Sequence, residues 1–383
     1  MGAGTLGPVE EMKILQILPA LEQGGVERGT IEIASALAKA GIENAVVSSG
    51  GPMVAQLDKI GVKHYTIPVQ SKNPFVVWRN GTELARLVRN EGFTLMHVRS
   101  RAPAWSVLRA SRLSGVPYIA TYHGLYGTKP AWLKKPYNRV MLKGVCTVAV
   151  SDCVRQHIID NYGLDPEKIV RIYRGADISV FSGEAPNAAS LRKSLGFPDD
   201  MPVVTLPGRL TYIKGQKDLI AAAALMKTRP IGLLFVGSDQ GRKEYSAELR
   251  DMAAKLPEGI KVVFLEHSSD MPSVYGMSDV VVSANSVKPE AFGRTIPEAQ
   301  AMGRLVVGTA HGGACETIVD GKTGFLVPPA DPPMLAKKLD EALAMSPDAK
   351  REMCEAAKSR ARAEFSTEKM CERTIELYRK ICG

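Results

Sequence analysis

The 383-residue chain has no uninterrupted apolar run of about 18 residues, the length a spanning helix needs, so a transmembrane segment is excluded. It also lacks a basic leader followed by an apolar stretch at its beginning, which argues against secretion. Its six cysteines (Cys146, Cys153, Cys315, Cys354, Cys371 and Cys382) show neither a CxxC pair nor zinc-ligand spacing. Free thiols in a reducing cytosol are therefore expected. Aromatic residues are few, at 6% with three tryptophans, and no complete GxGxxG is present. What remains is ordinary globular usage, 45% apolar and 23% charged, which leaves little room for disorder. The length suits two domains of roughly 150–200 residues each.

Acidic residues are scarce in one region. Residues 1–184 hold 22 Lys and Arg against 15 Asp and Glu, whereas residues 185–383 hold 27 against 25. Between Lys72 and Lys143 there are 13 basic residues and only two acids, Glu83 and Glu91. Such a field attracts phosphates, anionic headgroups or nucleic acid. A charge run is more often a solvated face, but Trp78, Trp105, Tyr126, Trp132 and Tyr137 are interleaved here, as in segments that lie on membranes. No nucleic-acid module is recognisable, so nucleic acid is not expected as a partner.

Short β-branched runs alternate with longer helical ones. Strands are expected at 12–18, 45–48, 64–68, 94–98, 118–122, 147–151 and 169–172, then at 202–206, 232–236, 261–265, 280–283, 305–308 and 324–327. Amphipathic helices separate many of them, and three more close the chain at about 333–344, 348–364 and 367–381. Continuous apolar strands joined by helices imply parallel sheets covered on both faces. The first ten or so residues read as a flexible lead-in, and 183–190, poor in large apolar residues, as a linker. The expected domains are 1–183, with a final helix 366–383 packing back on it, and 184–365. Two α/β domains facing each other would place a ligand cleft at the carboxyl ends of their strands.

Four local patterns carry chemistry. Glu290-Ala-Phe-Gly-Arg-Thr-Ile-Pro-Glu298 follows a strand, and a strand, a glycine turn and a helix together aim backbone N–H groups at phosphate. Gly293 permits close approach, and Arg294 and Thr295 open the helix. The two carboxylates could accept hydrogen bonds from sugar and ribose hydroxyls. They could equally be a helix cap and a surface acid, or the acid and nucleophile of a glycosidase. Gly208-Arg209 and Lys214-Gly215-Gln216 follow another strand; an arginine fork and a lysine point charge suit a diphosphate, although two cations near a turn are common. Gly24-Gly25 sits at the first strand–helix junction, and Gly312-Gly313-Ala-Cys-Glu316 can supply further N–H groups.

Taken in order, Gly-Gly near the start, Arg-x4-Lys, Glu-x7-Glu and Gly-Gly-x-x-Glu resemble the retaining glycosyltransferases of family 4, among them enzymes of lipopolysaccharide and other cell-envelope glycans. The resemblance runs from about Lys13 to Tyr378. It implies the GT-B architecture, two Rossmann-like α/β/α domains around a central nucleotide-sugar cleft. It also implies that Arg209 and Lys214 hold the donor diphosphate, that Glu298 binds ribose hydroxyls, and that Glu290 contacts the sugar. The backbone of Phe292, Gly293, Arg294 and Thr295 would meet sugar and diphosphate, with Gly24, Gly25 and Gly208 also on the donor. His123, in Thr-Tyr-His-Gly, matches the family's active-site histidine; taken alone, it would more often be structural.

There are departures. Arg174 stands where the family usually has Asn, and the usual His-x-His appears as His97-Val-Arg99-Ser-Arg101. Arg99 and Arg101 would suit a phosphorylated or carboxylated acceptor, or form a solvated pair. No Asp-x-Asp occurs, which suits an enzyme that needs no metal or other cofactor. The expected reaction is transfer from a UDP- or GDP-linked sugar to a glycan or lipid-linked acceptor, such as lipopolysaccharide core, at an anionic cytoplasmic membrane surface. An epimerase or hydrolase of the same fold, or a non-catalytic nucleotide-sugar binder, are the alternatives.

Overall fold

Thirteen runs, most of them rich in Val, Ile and Leu, take up extended backbone in the computed structural model, which describes residues 12–181 and 185–383. The expected lead-in and the linker residues Gly183 and Glu184 lie outside the described residues. Contacts divide the chain into two units, Met1–Gly175 with Thr367–Gly383, and Ala176–Ser366.

In the first unit, β1 (Lys13–Ile17), β2 (Glu43–Ser48), β3 (Lys63–Thr66), β4 (Leu95–Val98), β5 (Tyr118–Tyr122), β6 (Cys146–Ala149) and β7 (Ile169–Arg171) form one sheet. Its order is β3-β2-β1-β4-β5-β6-β7, and every pairing is parallel. Side chains alternate along a strand, so Ile14, Leu95 and Ile119 share a face. They pack there against Ile33 and Leu37 of the Gly25–Lys39 helix and Ile375 and Tyr378 of the last helix, Thr367–Cys382. Fully burying a side chain of this size is worth about 1.5–3 kcal/mol, which is what holds the end of the chain on the first unit. Two positions further along, the same face carries Gln16, His97 and Thr121, a polar layer at the carboxyl ends of the strands.

The second unit repeats the plan with β8 (Val203–Pro207), β9 (Ile231–Val236), β10 (Ile260–Leu265), β11 (Val280–Ser283), β12 (Leu305–Thr309) and β13 (Phe325–Val327), in the parallel order β10-β9-β8-β11-β12-β13. Leu206, Phe235, Val280 and Val282 meet Leu219, Leu335 and Leu339 on one face. On the other, Val281 and Val306 pack against Ile296 and Ala361.

The division between units falls eight residues before the boundary expected at 183. Ala176 pairs with Ser366, its N–H donating to the Phe365 carbonyl at 2.8 Å, while Ile178 and Phe181 are buried beside Tyr275. The expected linker is also shortened: Ala188–Ser194 is helical, and Leu191 packs against the cluster of Phe197 and Val274. Low apolar content misled here because a short helix needs only a few anchoring side chains.

In both sheets the chain reverses its winding at one place, between β1 and β4 and between β8 and β11. At such a switch point the loops part and leave a crevice outside the strand ends.

Candidate active site

The second switch point is built from the loops after β8 and β11. Gly208 donates to the Val236 carbonyl at 2.8 Å and turns the chain out of β8. Arg209 follows, exposed, with Nη1 on Gln240 Oε1 at 3.2 Å. The loop is fixed from below by the buried Gln216, whose Nε2 donates to the Arg209 carbonyl at 2.9 Å and whose Oε1 accepts from Tyr245. Gly215 begins the Gln216–Leu225 helix at φ 72°, where a Cβ would strike the Ala284 carbonyl, so only glycine fits. That turn carries Lys214 back over the strand ends, and its Nζ lies 2.5 Å from Glu290 Oε1.

Glu290 thus faces a cation and does not cap a helix. Its backbone pairs with Gly312, and its carbonyl accepts from the Gly313 N–H at 2.9 Å. The Gly313 N–H is thus spent within the fold. Phe292 points inward against Phe365. Gly293 takes a left-handed conformation at φ 80°, and the helix Thr295–Ala301 begins after Arg294. Glu298 therefore sits in the first turn of that helix. Its Oε1 is 3.5 Å from Arg294 Nε, and its Oε2 accepts from Tyr275 OH at 3.0 Å. Burial, with Glu298 alongside, pushes the Tyr275 phenol well up, so it remains a donor to that carboxylate. Glu290 Oε2 and Arg294 Nε and Nη2 are buried without a hydrogen-bond partner. These are groups that a polar ligand would satisfy.

The first switch point is different. His97 is fully enclosed, Nδ1 on Tyr378 OH at 2.5 Å and Nε2 on Thr121 Oγ1 at 2.6 Å. Burial first, and then Arg99 and His123, hold His97 well below the usual histidine range. His123, just past β5, is held well down by burial and by Arg174 and Arg99, so its ring is neutral at pH 7. Gly24 and Gly25 open the Gly25–Lys39 helix beside it.

Residues 187–363 match the model "Glycosyl transferases group 1" and residues 23–180 match "Glycosyltransferase Family 4". A glycosyltransferase of Rickettsia africae is 37% identical, with a TM-score of 0.88 over 97% of this chain and 98% of that one. The chain belongs to this glycosyltransferase family. A "D-inositol 3-phosphate glycosyltransferase" of Corynebacterium urealyticum is 34% identical over 58% of the chain and 53% of its own length. HepE of Anabaena, solved with UDP and glucose, has the same fold at 24% identity, with a TM-score of 0.80 over 96% of this chain and 99% of that one. The protein is thus an enzyme, a transferase of GT-B fold.

Within this glycosyltransferase, Gly208, Arg209, Lys214, Glu290, Phe292, Gly293, Arg294, Thr295 and Glu298 gather at the second switch point. Gly24, Gly25 and His123 gather at the first. Arg99 and Arg101 do not act as a pair. Arg99 is buried and bonded to Gln16, whereas Arg101 opens a helix, donates to Asn138 Oδ1 at 3.1 Å and stacks on Tyr126. The reading of them as a solvated pair falls too. Tyr275, which holds Glu298, lies 23 positions from it in sequence and carries no motif. Among the described residues no group of three or more His, Cys, Asp or Glu side chains could hold a metal ion, and no helix is long and apolar enough to cross a membrane.

Proposed function

We propose that this glycosyltransferase moves a sugar from a nucleotide diphosphate sugar, UDP- or GDP-linked, to a membrane-associated glycan acceptor with retention of anomeric configuration. The observation that carries the donor reading is the pairing of cations with carboxylates at one strand-end crevice, Lys214 with Glu290 and Arg294 with Glu298. Arg209, Lys214 and Arg294 supply positive charge for a diphosphate, and the first helical turn adds its N–H groups. Glu298, held by Tyr275, takes the ribose hydroxyls, and Glu290 takes a hydroxyl of the sugar. The binding of UDP and glucose by the fold neighbour HepE supports a uridine donor.

In the proposed step the acceptor oxygen bonds to the anomeric carbon on the face from which the diphosphate leaves. The carbon–oxygen bond to phosphate breaks with its electron pair on the phosphate oxygen, which takes the acceptor's proton. Arg209 and Lys214 stabilise the charge that develops there, the term that usually dominates such catalysis. His123, neutral at pH 7, is a hydrogen-bonding partner for the sugar and not a cation. We propose that the diphosphate charge is met by these side chains without a metal, so that a chelator leaves the rate unchanged.

The membrane part of the proposal rests on one surface of the first unit, and with it goes a cytoplasmic, membrane-peripheral location. Trp132 is 78% exposed on the Ala131–Arg139 helix, beside Leu133 and the exposed Lys129 and Lys134. Phe75 and Trp78 are exposed on the Pro74–Glu91 helix, where Arg109 stacks on Trp78. Exposed aromatics ringed by cations suit an anionic headgroup layer, such as that around a lipid-linked saccharide or lipopolysaccharide precursor. The test of the whole reading is incubation with UDP- and GDP-sugars, with and without membrane extract. Transfer of labelled sugar to extract with a retained anomer is expected. Donor turnover in the absence of any acceptor would instead indicate a hydrolase or epimerase.

A further inference from the structure

The loop that follows β5 is pinned by side chains that no motif of the sequence singles out as a group. It begins at His123 and turns back on itself, the Tyr126 N–H donating to the Gly124 carbonyl at 3.1 Å. The Tyr126 ring then packs on Tyr122, the last residue of β5, with 4.6 Å between centroids. His123 therefore stands in a tight turn. One end of that turn is fixed by the sheet, and the other by whatever holds Tyr126.

Arg101 holds it on two sides. Its guanidinium lies 4.1 Å from the centroid of the Tyr126 ring, a cation–π contact. Its Nη1 also donates to Asn138 Oδ1 at 3.1 Å. Asn138 is fully buried, and its Nδ2 donates to the Gly127 carbonyl at 3.2 Å and to Tyr162 OH at 2.9 Å. That amide is engaged at both ends, so Arg101 reaches the loop a second time through it. From the Asp152–Tyr162 helix, His157 Nε2 donates to the Tyr126 carbonyl at 3.2 Å, and its Nδ1 accepts from Asn161 Nδ2 at 3.3 Å. Burial pushes the Tyr126 phenol up, and Arg101 and the His123 backbone N–H oppose that rise, so both lie near its oxygen.

We propose that Arg101 is a positioning residue for sugar transfer: its clamp on Tyr126 and Asn138 fixes the turn that begins at His123, and so sets where the His123 ring stands. That this matters to transfer rests on the reading above that gives His123 to the sugar; that Arg101 sets the ring does not. Arg101 opens the Arg101–Ser114 helix, whose Pro103, Ala104 and Val107 are buried, so the guanidinium reaches out from a packed element. A planar fork can stack on a ring and donate to an amide at once, which an ammonium does less well.

Histidine-selective NMR and transfer kinetics of the full chain test this, with UDP-glucose and membrane extract as substrates and the His123 signals assigned from His123→Ala. Arg101→Ala is expected to move the His123 ring signals and to lower kcat by about 10- to 100-fold, with the KM for UDP-glucose unchanged. Arg101→Lys keeps the charge without the fork; it should show a smaller displacement and a smaller loss, and it serves where truncation unfolds the chain. Added to His123→Ala, Arg101→Ala should cost little more, because the two residues act as a unit. Losses that multiply independently overturn the proposal, since they mark a merely structural arginine. An unchanged kcat in folded Arg101→Ala overturns it as well, and so do His123 signals that move in neither folded variant. Should the wild type transfer no sugar, or His123→Ala transfer at the wild-type rate, the reading of His123 above fails. The NMR displacement alone then decides whether Arg101 sets the ring.

Discussion

The crevices at the two switch points handle charge in opposite ways. At the second, Lys214 and Arg294 each have a carboxylate beside them, Glu290 and Glu298. At the first, two arginines and two histidines line a cavity whose walls contain no acid. The same strand-end geometry therefore yields two kinds of site. Carboxylates keep the cations of the second in place and can themselves accept hydrogen bonds from hydroxyls, a combination that fits a sugar joined to a diphosphate. At the first, burial and the neighbouring arginines suppress histidine protonation.

The largest effect is expected on catalysis. Lys214→Ala should lower kcat by about 100- to 1000-fold, the loss seen when one preorganised charge-stabilising group is removed. Steady-state kinetics with a UDP-sugar measures it, and an unchanged kcat would remove the second site from the chemistry. Gly215→Ala should cost about 2 kcal/mol or more of stability, because a Cβ at φ 72° meets the Ala284 carbonyl. Thermal unfolding reads this as a lowered Tm, and full stability would show that the turn under Lys214 is not as rigid as described.

The crevice of the first unit makes a prediction about pH. His97 titrates near 6.5 when unfolded and well below that when folded. The unfolded chain therefore binds the proton first. The stabilisation from His97 is complete above about pH 6.5 and is lost as pH falls below it, by at most about 1.4 kcal/mol per pH unit. The destabilisation caused by His97→Gln should be greatest at pH 7–8 and narrow on acidification, as chemical denaturation of both proteins would show. A difference that stays constant with pH would mean that His97 is not held neutral. The smallest effect concerns the outer surface: Lys134→Glu with Lys135→Glu should weaken binding to anionic vesicles by roughly 1 kcal/mol per lost cation. Vesicle sedimentation that does not change would detach the membrane proposal from this face.

All thirteen strands are recognisable in the sequence, with ends shifted by a residue or two, because buried parallel strands read as continuous β-branched runs. The second switch point is legible for a related reason. Its candidate residues lie within short strand–turn–helix segments, where spacing along the chain stands for spacing in the fold. The first is not. Arg99 and Arg174 share a cavity only because β4 lies beside β1 and the chain returns after β7. Arg101, two residues from Arg99, diverges from it because it already belongs to a helix and reaches Asn138. Tyr275 reaches Glu298 across 23 positions of sequence, a contact made by packing and not by any local pattern. Arg174 stands out in the sequence only as a departure from the family's usual Asn, with nothing to say what it touches.

The central claim is that a nucleotide sugar binds where Glu298 is held by Arg294 and Tyr275. Thermal unfolding of the wild type and Glu298→Ala, each with UDP, GDP and ADP and their common sugars, tests it most directly. A nucleotide at a hundred times its dissociation constant stabilises by about 2.7 kcal/mol, a shift of several degrees. One nucleotide should shift the wild type and shift Glu298→Ala far less. Equal shifts in both proteins, or none in either, would contradict the account.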